Sequence, residues 1–356
     1  MNASATHRTV SGFSLVEIMV AMVIGLIGIL VIFQVFAVSE GYRRTTTSGG
    51  DAQQNGAVAM YILEHEMRQA GWGFNSSNAI GCNVHPYDAS QGGALTQYPL
   101  VPVRITQGAA NASDTVEVNY GSQASVVAPT NIFQNMVAST DAYVVGNRYG
   151  FAVADVFIVV ESGKDCTLAQ VTGLPAAPLT TTVNHSAASP VSRYNDPAGS
   201  GILYTVNGFI FNLGSAPAHN IYSVSNSNLV LVAALNSATA QTVADNVVQM
   251  KAQYGKDDGG GGGGGTPGDG IVDTYDNVTP TTAAQWSQVL AVRIGIVARA
   301  ATPEKPSGTG GCDTTTVAPT WVGGTFNLTA DANWQCYRYK IFQNTIPVRN
   351  MLWSQG

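Results

Sequence analysis

The chain has 356 residues, of which only 11 % are charged, and its formal net charge is −6. A nucleic-acid partner would want a basic stripe, so this balance argues against one. Glycine is abundant, and the low charge content suits an extracytoplasmic β-rich domain better than a helical cytosolic enzyme.

The first element is an apolar helix. From Ile18 to Val38 there are 21 residues whose only polar side chain is Gln34. At a helical rise of about 1.5 Å per residue they extend about 30 Å, the thickness of a bilayer's hydrocarbon core. At the mouth of this segment stands Glu17, preceded by Ser11-Gly12-Phe13-Ser14-Leu15-Val16. A carboxylate on a membrane helix costs a few kcal/mol even on lenient scales, about 2.5 to 3.5, and so calls for a partner or a function. A plain signal anchor leaves Glu17 unexplained. A removable secretory signal is disfavoured, because the apolar run exceeds the usual h-region and no small-x-small site closes it.

These residues resemble the type III signal of type IV pilins: a hydrophilic leader ending in glycine, then Phe-Ser-Leu-Val-Glu, then the hydrophobic helix. The resemblance implies that prepilin peptidase cuts between Gly12 and Phe13. Phe13 then becomes the N-methylated first residue, and Glu17 meets the free amine of a neighbouring subunit's Phe13 during assembly. By count of positive charges, His7 and Arg8 before the helix against Arg43 and Arg44 after it would leave the C-terminal bulk in the cytoplasm. The leader implies translocation nonetheless, with the bulk of the chain in the periplasm.

After Val38 the helical pattern continues with a polar stretch, Ser39 to Ser48, and a weak point at Ser48-Gly49-Gly50. From Asp51 an apolar stripe returns: Ala59, Ile62, Leu63, Met67 and Ala70, with Glu64, His65 and Arg68 on the other side. One long helix to about Gln69 is expected, its second half packed on a sheet. Glu64 and Glu66 flank His65 but share no face with it, and a solvated role is expected for them.

The stretch Leu63-Glu64-His65-Glu66-Met67-Arg68-Gln69-Ala70-Gly71, followed by Cys82, resembles PilW-type minor pilins. So does the C-terminal Thr345-Ile346-Pro347-Val348-Arg349-Asn350, a tail shared with J-type minor pseudopilins. The likeness covers both ends of the chain and leaves residues 82–200 uncovered. It implies an α+β pilin-like fold: a long N-terminal helix, membrane-spanning in its first half, packed on an antiparallel β-sheet domain with a β-rich insertion.

In order, the expected parts are a leader (1–12), a membrane-spanning half-helix (13–38), an amphipathic half-helix (39–70), an irregular β-rich region or insertion (71–200) and an antiparallel sheet region (201–356). Strands are expected at 101–105, 115–120, 151–161 and 167–171 in the irregular region. In the second half they are expected at 202–213, 221–224, 229–234, 247–254, 289–300 and 337–351. In 247–254, Val248, Met250, Ala252 and Tyr254 alternate with Gln249, Lys251 and Gln253, which predicts one buried and one wet face. Arg293 and Arg299 fall on one face of 289–300.

Cys82, Cys166, Cys312 and Cys336 lie in no C-x-x-C or Cys/His cluster, so zinc is disfavoured. An even number in a translocated chain reads as two disulfides. Cys312 with Cys336 and Cys82 with Cys166 are the favoured pairs, each worth about 3 to 4 kcal/mol in the chain-entropy model; four buried free thiols are the alternative.

The loop 255–276 holds the one candidate metal site. Asp269, Asp273 and Asp276, with Gly270 at the turn, fit positions five, nine, twelve and six of a calcium loop, but Gly265 and Pro267 occupy positions one and three. Asp257 and Asp258 would have to fold back across the glycine run as ligands. An acidic hairpin tip without metal is the preferred reading, so no cofactor is expected, calcium being the one candidate. The glycine run lacks the Lys-Ser/Thr of a phosphate loop. The five histidines are scattered, with no H-E-x-x-H and no G-x-S-x-G, and no enzyme is expected.

The resemblance therefore implies a minor type IV pilin engaged in pilus assembly or initiation, at the pilus tip. Its partners would be other minor pilins, the major pilin, a tip adhesin, prepilin peptidase and inner-membrane lipid. It would reside in the inner membrane before joining the extracellular pilus. A minor pseudopilin of a type II secretion system and a membrane-anchored adhesin or binding protein are the alternatives.

Overall fold

The computed structural model describes residues 12–74, 76, 78–109, 112–124, 128–260, 265–304 and 310–352. The leader up to Ser11, Gly261 to Gly264 and Trp353 lie outside the described residues. The fold is α+β and pilin-like: one long N-terminal helix, then open, mostly antiparallel sheets. The chain divides into two compact units, Met1–Gly50 and Asp51–Gly356.

The helix runs Leu15–Gln69 and passes Gly49 and Gly50 without interruption, so the expected weak point does not break it. In the first unit the described side chains from Phe13 to Arg43 are exposed. In the second unit the stripe faces the core as the spacing predicts, with Ile62 only partly buried. Ala59, Leu63, Met67 and Ala70 form one core with Val103, Ile105, Val116, Val118 and Tyr222, and with Met250, Ala252, Tyr254, Val292, Ile294 and Ile296. Those two groups come from different sheets, so the amphipathic half of the helix is the wedge that joins them.

One of these sheets has five antiparallel strands in the order Gln241–Asp245, Asn228–Ala233, Ala218–Ser225, Thr115–Tyr120, Val103–Thr106. The other has four: Thr274–Asp276, Val247–Lys256, Val289–Arg299, Tyr339–Pro347. A six-stranded sheet is built mainly from residues 83–170, in the order Tyr98–Pro99, Asn83–His85, Cys166–Gln170, Val156–Val160, Phe209–Gly214, Thr130–Asn131. Its Asn83–His85 strand runs parallel to Cys166–Gln170, and the disulfide Cys82–Cys166 ties the same two segments together. The sheets interleave the regions on either side of residue 200: Phe209–Gly214 pairs with Val156–Val160, and Thr115–Tyr120 pairs with Ala218–Ser225.

Glu64 and Glu66 are not simply solvated. Glu66 accepts from the Tyr120 hydroxyl at 3.0 Å and from Asn220 Nδ2 at 2.7 Å, both on the five-stranded sheet. Glu64 accepts from Asn344 Nδ2 of the four-stranded sheet at 2.9 Å, and also from Arg68. Two residues apart, they point to opposite sides of the stripe and bind the helix to each sheet in turn. At the helix's end Gly71 takes φ +81°, the left-handed cap conformation. Asn350 Nδ2 donates to the last carbonyls, Ala70 O at 2.8 Å and Gln69 O at 3.2 Å. The Arg-Gln-Ala-Gly and Arg-Asn motifs, far apart in sequence, meet here.

The wet face expected for Val247–Lys256 is only partly wet. Gln249 is 2 % exposed, because the segment closed by the second disulfide, Cys312–Cys336, covers the sheet's outer face. Trp321 lies against Gly295, where a Cβ would meet its ring at 2.7 Å. Phe326 and Leu328 cluster with Val297, flanked by Val248, Trp321, Trp334 and Tyr339. Arg293 lies over the Tyr275 ring, and Arg299 over that of Tyr337.

Between the five- and six-stranded sheets, His219 stacks on Tyr98 with ring centroids 3.9 Å apart. Its Nδ1 lies 2.6 Å from Asn119 Oδ1, whose amide is oriented by donating to Val101 O. Arg104 holds the nearby Glu117. Burial, reinforced by the Arg104 charge, pushes the imidazole down to about 3. The sign follows. Below the ordinary pKa of 6.5 the unfolded chain takes up a proton that the fold refuses, so stability falls with pH from there to about 3. His219→Gln is expected to flatten a slope of up to about 1.4 kcal/mol per pH unit between pH 6.5 and 4, read as urea midpoints across that range.

Candidate functional site: the exposed helix terminus

Ser14 starts the helix. Its carbonyl accepts from Glu17 N at 3.0 Å and from Ile18 N at 3.2 Å. Its own amide donates to Glu17 Oε2 at 3.4 Å. Ser14-x-x-Glu17 is thus half of a capping box, with the carboxylate in the first turn, where the helix dipole favours negative charge. The sequence left Glu17 with no partner in its own helix; the structure gives it one long hydrogen bond, which leaves most of its accepting capacity open. Phe13, 82 % exposed, and Gly12 precede it.

Beyond Glu17 the helix is long and apolar enough to cross a membrane, and its most apolar stretch is buried nowhere against protein. Leu26, Ile27, Leu30, Phe33 and Phe36, among others, stand more than half exposed. A surface helix of a soluble domain shows one apolar face; a helix apolar all round needs lipid or other helices as its solvent.

The loop 255–276 has a different character. Asp257 is fully buried, and its two oxygens accept from Gly268 N at 2.6 Å and Gly270 N at 2.7 Å. Asp258 accepts from Gly260 N and Thr274 Oγ1, and Asp273 from Gly259 N. Asp269 accepts from Ile271 N, and Asp276 pairs with Lys256 Nζ at 2.7 Å. Each of the five carboxylates accepts at least one hydrogen bond from a donor of the loop itself. Among the described residues no group of three or more His, Cys, Asp or Glu side chains is arranged to hold a metal ion.

The histidines do not converge on one centre. His65 stacks on Tyr61, His85 pairs with Asp165, His185 bonds Asp141 O and His219 lies under Tyr98, while His7 falls outside the described residues. An ion pair that the sequence did not mark joins the buried Asp88 to the half-buried Arg193. The hydrogen bonds of Arg193, Ser90 and Gln91 outweigh the opposing effect of burial and hold the Asp88 carboxyl well below the usual range. It bridges segments 105 residues apart, a separation at which local pattern carries no signal.

The chain thus combines an apolar helix that carries a carboxylate in its first turn with a unit of open, mostly antiparallel sheets, an α+β arrangement that is pilin-like. Residues 7–33 match the prokaryotic N-terminal methylation motif. Residues 219–350 match the family of the type IV pilus-assembly protein W. The two matches together support a PilW-type minor pilin, a protein related to the type IV pilus. No curated protein sequence and no solved structure matches the chain significantly.

Asp257→Ala removes the buried acceptor of two loop amides and is expected to cost about 2 kcal/mol in urea unfolding, roughly the net worth of two hydrogen bonds. Asp269→Ala, on the exposed turn, is expected to stay within about 0.5 kcal/mol. Calorimetric titration of millimolar calcium into the wild type is expected to give no saturating heat.

Proposed function

We propose that the protein is a minor pilin that takes part in pilus initiation at the filament tip, and that Glu17 is its assembly residue. The observation that carries this reading is a carboxylate set in the first turn of a helix whose apolar surface has no protein cover. In lipid or in a filament core, such a carboxylate keeps its charge cheaply only beside a positive group. Cleavage between Gly12 and Phe13 would create one on each neighbouring subunit: the amine of Phe13, N-methylated in this class. The pairing removes the desolvation penalty of both charges and sets the axial register between helices. The Ser14 amide already orients Glu17 by its long bond, so the carboxylate meets the incoming amine without first unwinding the turn.

On this reading the chain is held in the inner membrane with residues beyond the helix in the periplasm, then drawn into a complex with other minor pilins, the major pilin and a tip adhesin. The folded region of about 300 residues favours an uncrowded tip over a repeating shaft. Deletion is expected to abolish twitching motility and spare exoprotein secretion; the reverse would move the chain to a type II secretion system.

Glu17→Val is expected to leave processing and membrane insertion intact while lowering incorporation into sheared filaments at least a hundredfold. That factor corresponds to the roughly 3 to 5 kcal/mol lost when one partner of a buried ion pair is removed. Quantitative immunoblotting of sheared pili against membranes reads it, and unchanged incorporation would contradict the assignment.

A further inference from the structure

Between the five-stranded sheet and the segment 86–98 lies a cleft of about 280 Å³. Leu95, Ile221 and Val232 give it apolar walls, and Arg104, Glu117 and His219 also line it. Glu117 is held by Arg104, whose Nε and Nη2 both donate to Oε1, which leaves Oε2 without a hydrogen bond among the described residues. His219 engages Asn119 Oδ1 through Nδ1. The Asn119 amide nitrogen donates to Val101 O, so its oxygen is the acceptor and the imidazole proton is assigned to Nδ1. Burial keeps the ring neutral, and Nε2 is then a bare acceptor. It lies 3.9 Å from Glu117 Oε2, beyond hydrogen-bond reach. Both side chains are only 6 % exposed, yet neither of these two atoms is sealed from solvent. The surface they keep opens on the cleft that both residues line.

We propose that this cleft receives a primary ammonium group on an unbranched apolar stem. Two acceptors 3.9 Å apart call for a donor between them, and a single nitrogen can stand about 2.9 Å from each. An ammonium offers three hydrogens and no acceptor of its own. A hydroxyl has one hydrogen and serves only one of the two atoms, while a carboxylate or phosphate would set its lone pairs against both. The charge of Glu117 favours a cation on the oxygen that Arg104 leaves open. Arg104 itself is 32 % exposed, so water screens its repulsion. The space far exceeds the roughly 10 to 15 Å³ that one water needs, and Leu95, Ile221 and Val232 offer apolar cover to the stem's methylenes. A lysine side chain and a free alkylamine share this chemistry.

The test titrates n-butylamine into the full chain in a nonionic detergent at neutral pH, read by calorimetry. Saturable binding is expected, with Kd on the order of 1 mM. N,N-dimethylbutylamine keeps the charge but has a single N–H, and should bind at least tenfold more weakly; Glu117→Gln should weaken butylamine binding by as much. Ala238 is exposed and lines the cleft. Ala238→Trp should therefore block binding at an unchanged melting temperature, and it decides the matter alone if Glu117→Gln does not fold. Nα-acetyl-lysine methylamide separates the two sources: binding as tight as that of butylamine assigns the cleft to a partner protein's lysine, and binding at least tenfold weaker assigns it to a free amine. No saturable binding of butylamine overturns the proposal. Equal binding of butanol or of the dimethyl derivative overturns it too, as does wild-type affinity in a folded Ala238→Trp variant.

Discussion

A carboxylate in an apolar helix must keep company with a positive charge, and that constraint organises the first unit of this protein. Glu17 sits where the helix dipole tolerates it, within reach of the Ser14 amide. Neither compensates a full charge taken out of water, because one long hydrogen bond is worth far less than the penalty for a buried carboxylate. The sequence around it supplies the remedy if it is processed as its class implies, since cleavage at the adjacent Gly12-Phe13 junction frees an amine. The anchor and the assembly device are then one element.

The second unit depends on the other half of the same helix. Ala59, Leu63, Met67 and Ala70 are the apolar seam that two sheets share, while Glu66 and Glu64 reach past the seam to Asn220 and Asn344, one on each sheet. The helix then ends under Asn350, whose side-chain amide takes up the carbonyls of Gln69 and Ala70. The C-terminal tail thus seals the helix that began the chain, which gives a physical reason for the paired motifs at the two ends. The disulfide between Cys312 and Cys336 has a related role, holding over the outer face of the sheet the segment that carries Trp321, Phe326 and Leu328.

Much of this was legible in the sequence. The uninterrupted apolar run and the stripe follow from periodicity, and the strands expected at 115–120, 221–224, 229–234, 247–254 and 289–300 match or overlap the observed Thr115–Tyr120, Ala218–Ser225, Asn228–Ala233, Val247–Lys256 and Val289–Arg299. The strands between residues 82 and 200 were harder. Several are two or three residues long, too short for alternation to register, and they are held by partners far away in the chain. The parallel pairing of Asn83–His85 with Cys166–Gln170 is of that kind. Gln249 illustrates a second limit. Alternation correctly sets it opposite Met250 and Ala252, but only the tertiary placement of residues 320–336 decides that the opposite face is covered. Glu64 and Glu66 illustrate a third, since their partners Asn344 and Asn220 are uncharged and leave no charge pattern to find.

The account rests on the chain being processed and joined to its neighbours through its first turn. Mass spectrometry of the mature protein isolated from membranes tests this most directly. The account predicts a chain that begins at N-methylated Phe13, with Glu17 as its fifth residue. An intact Met1, or a cut beyond Val38 that discards the apolar helix, would contradict it.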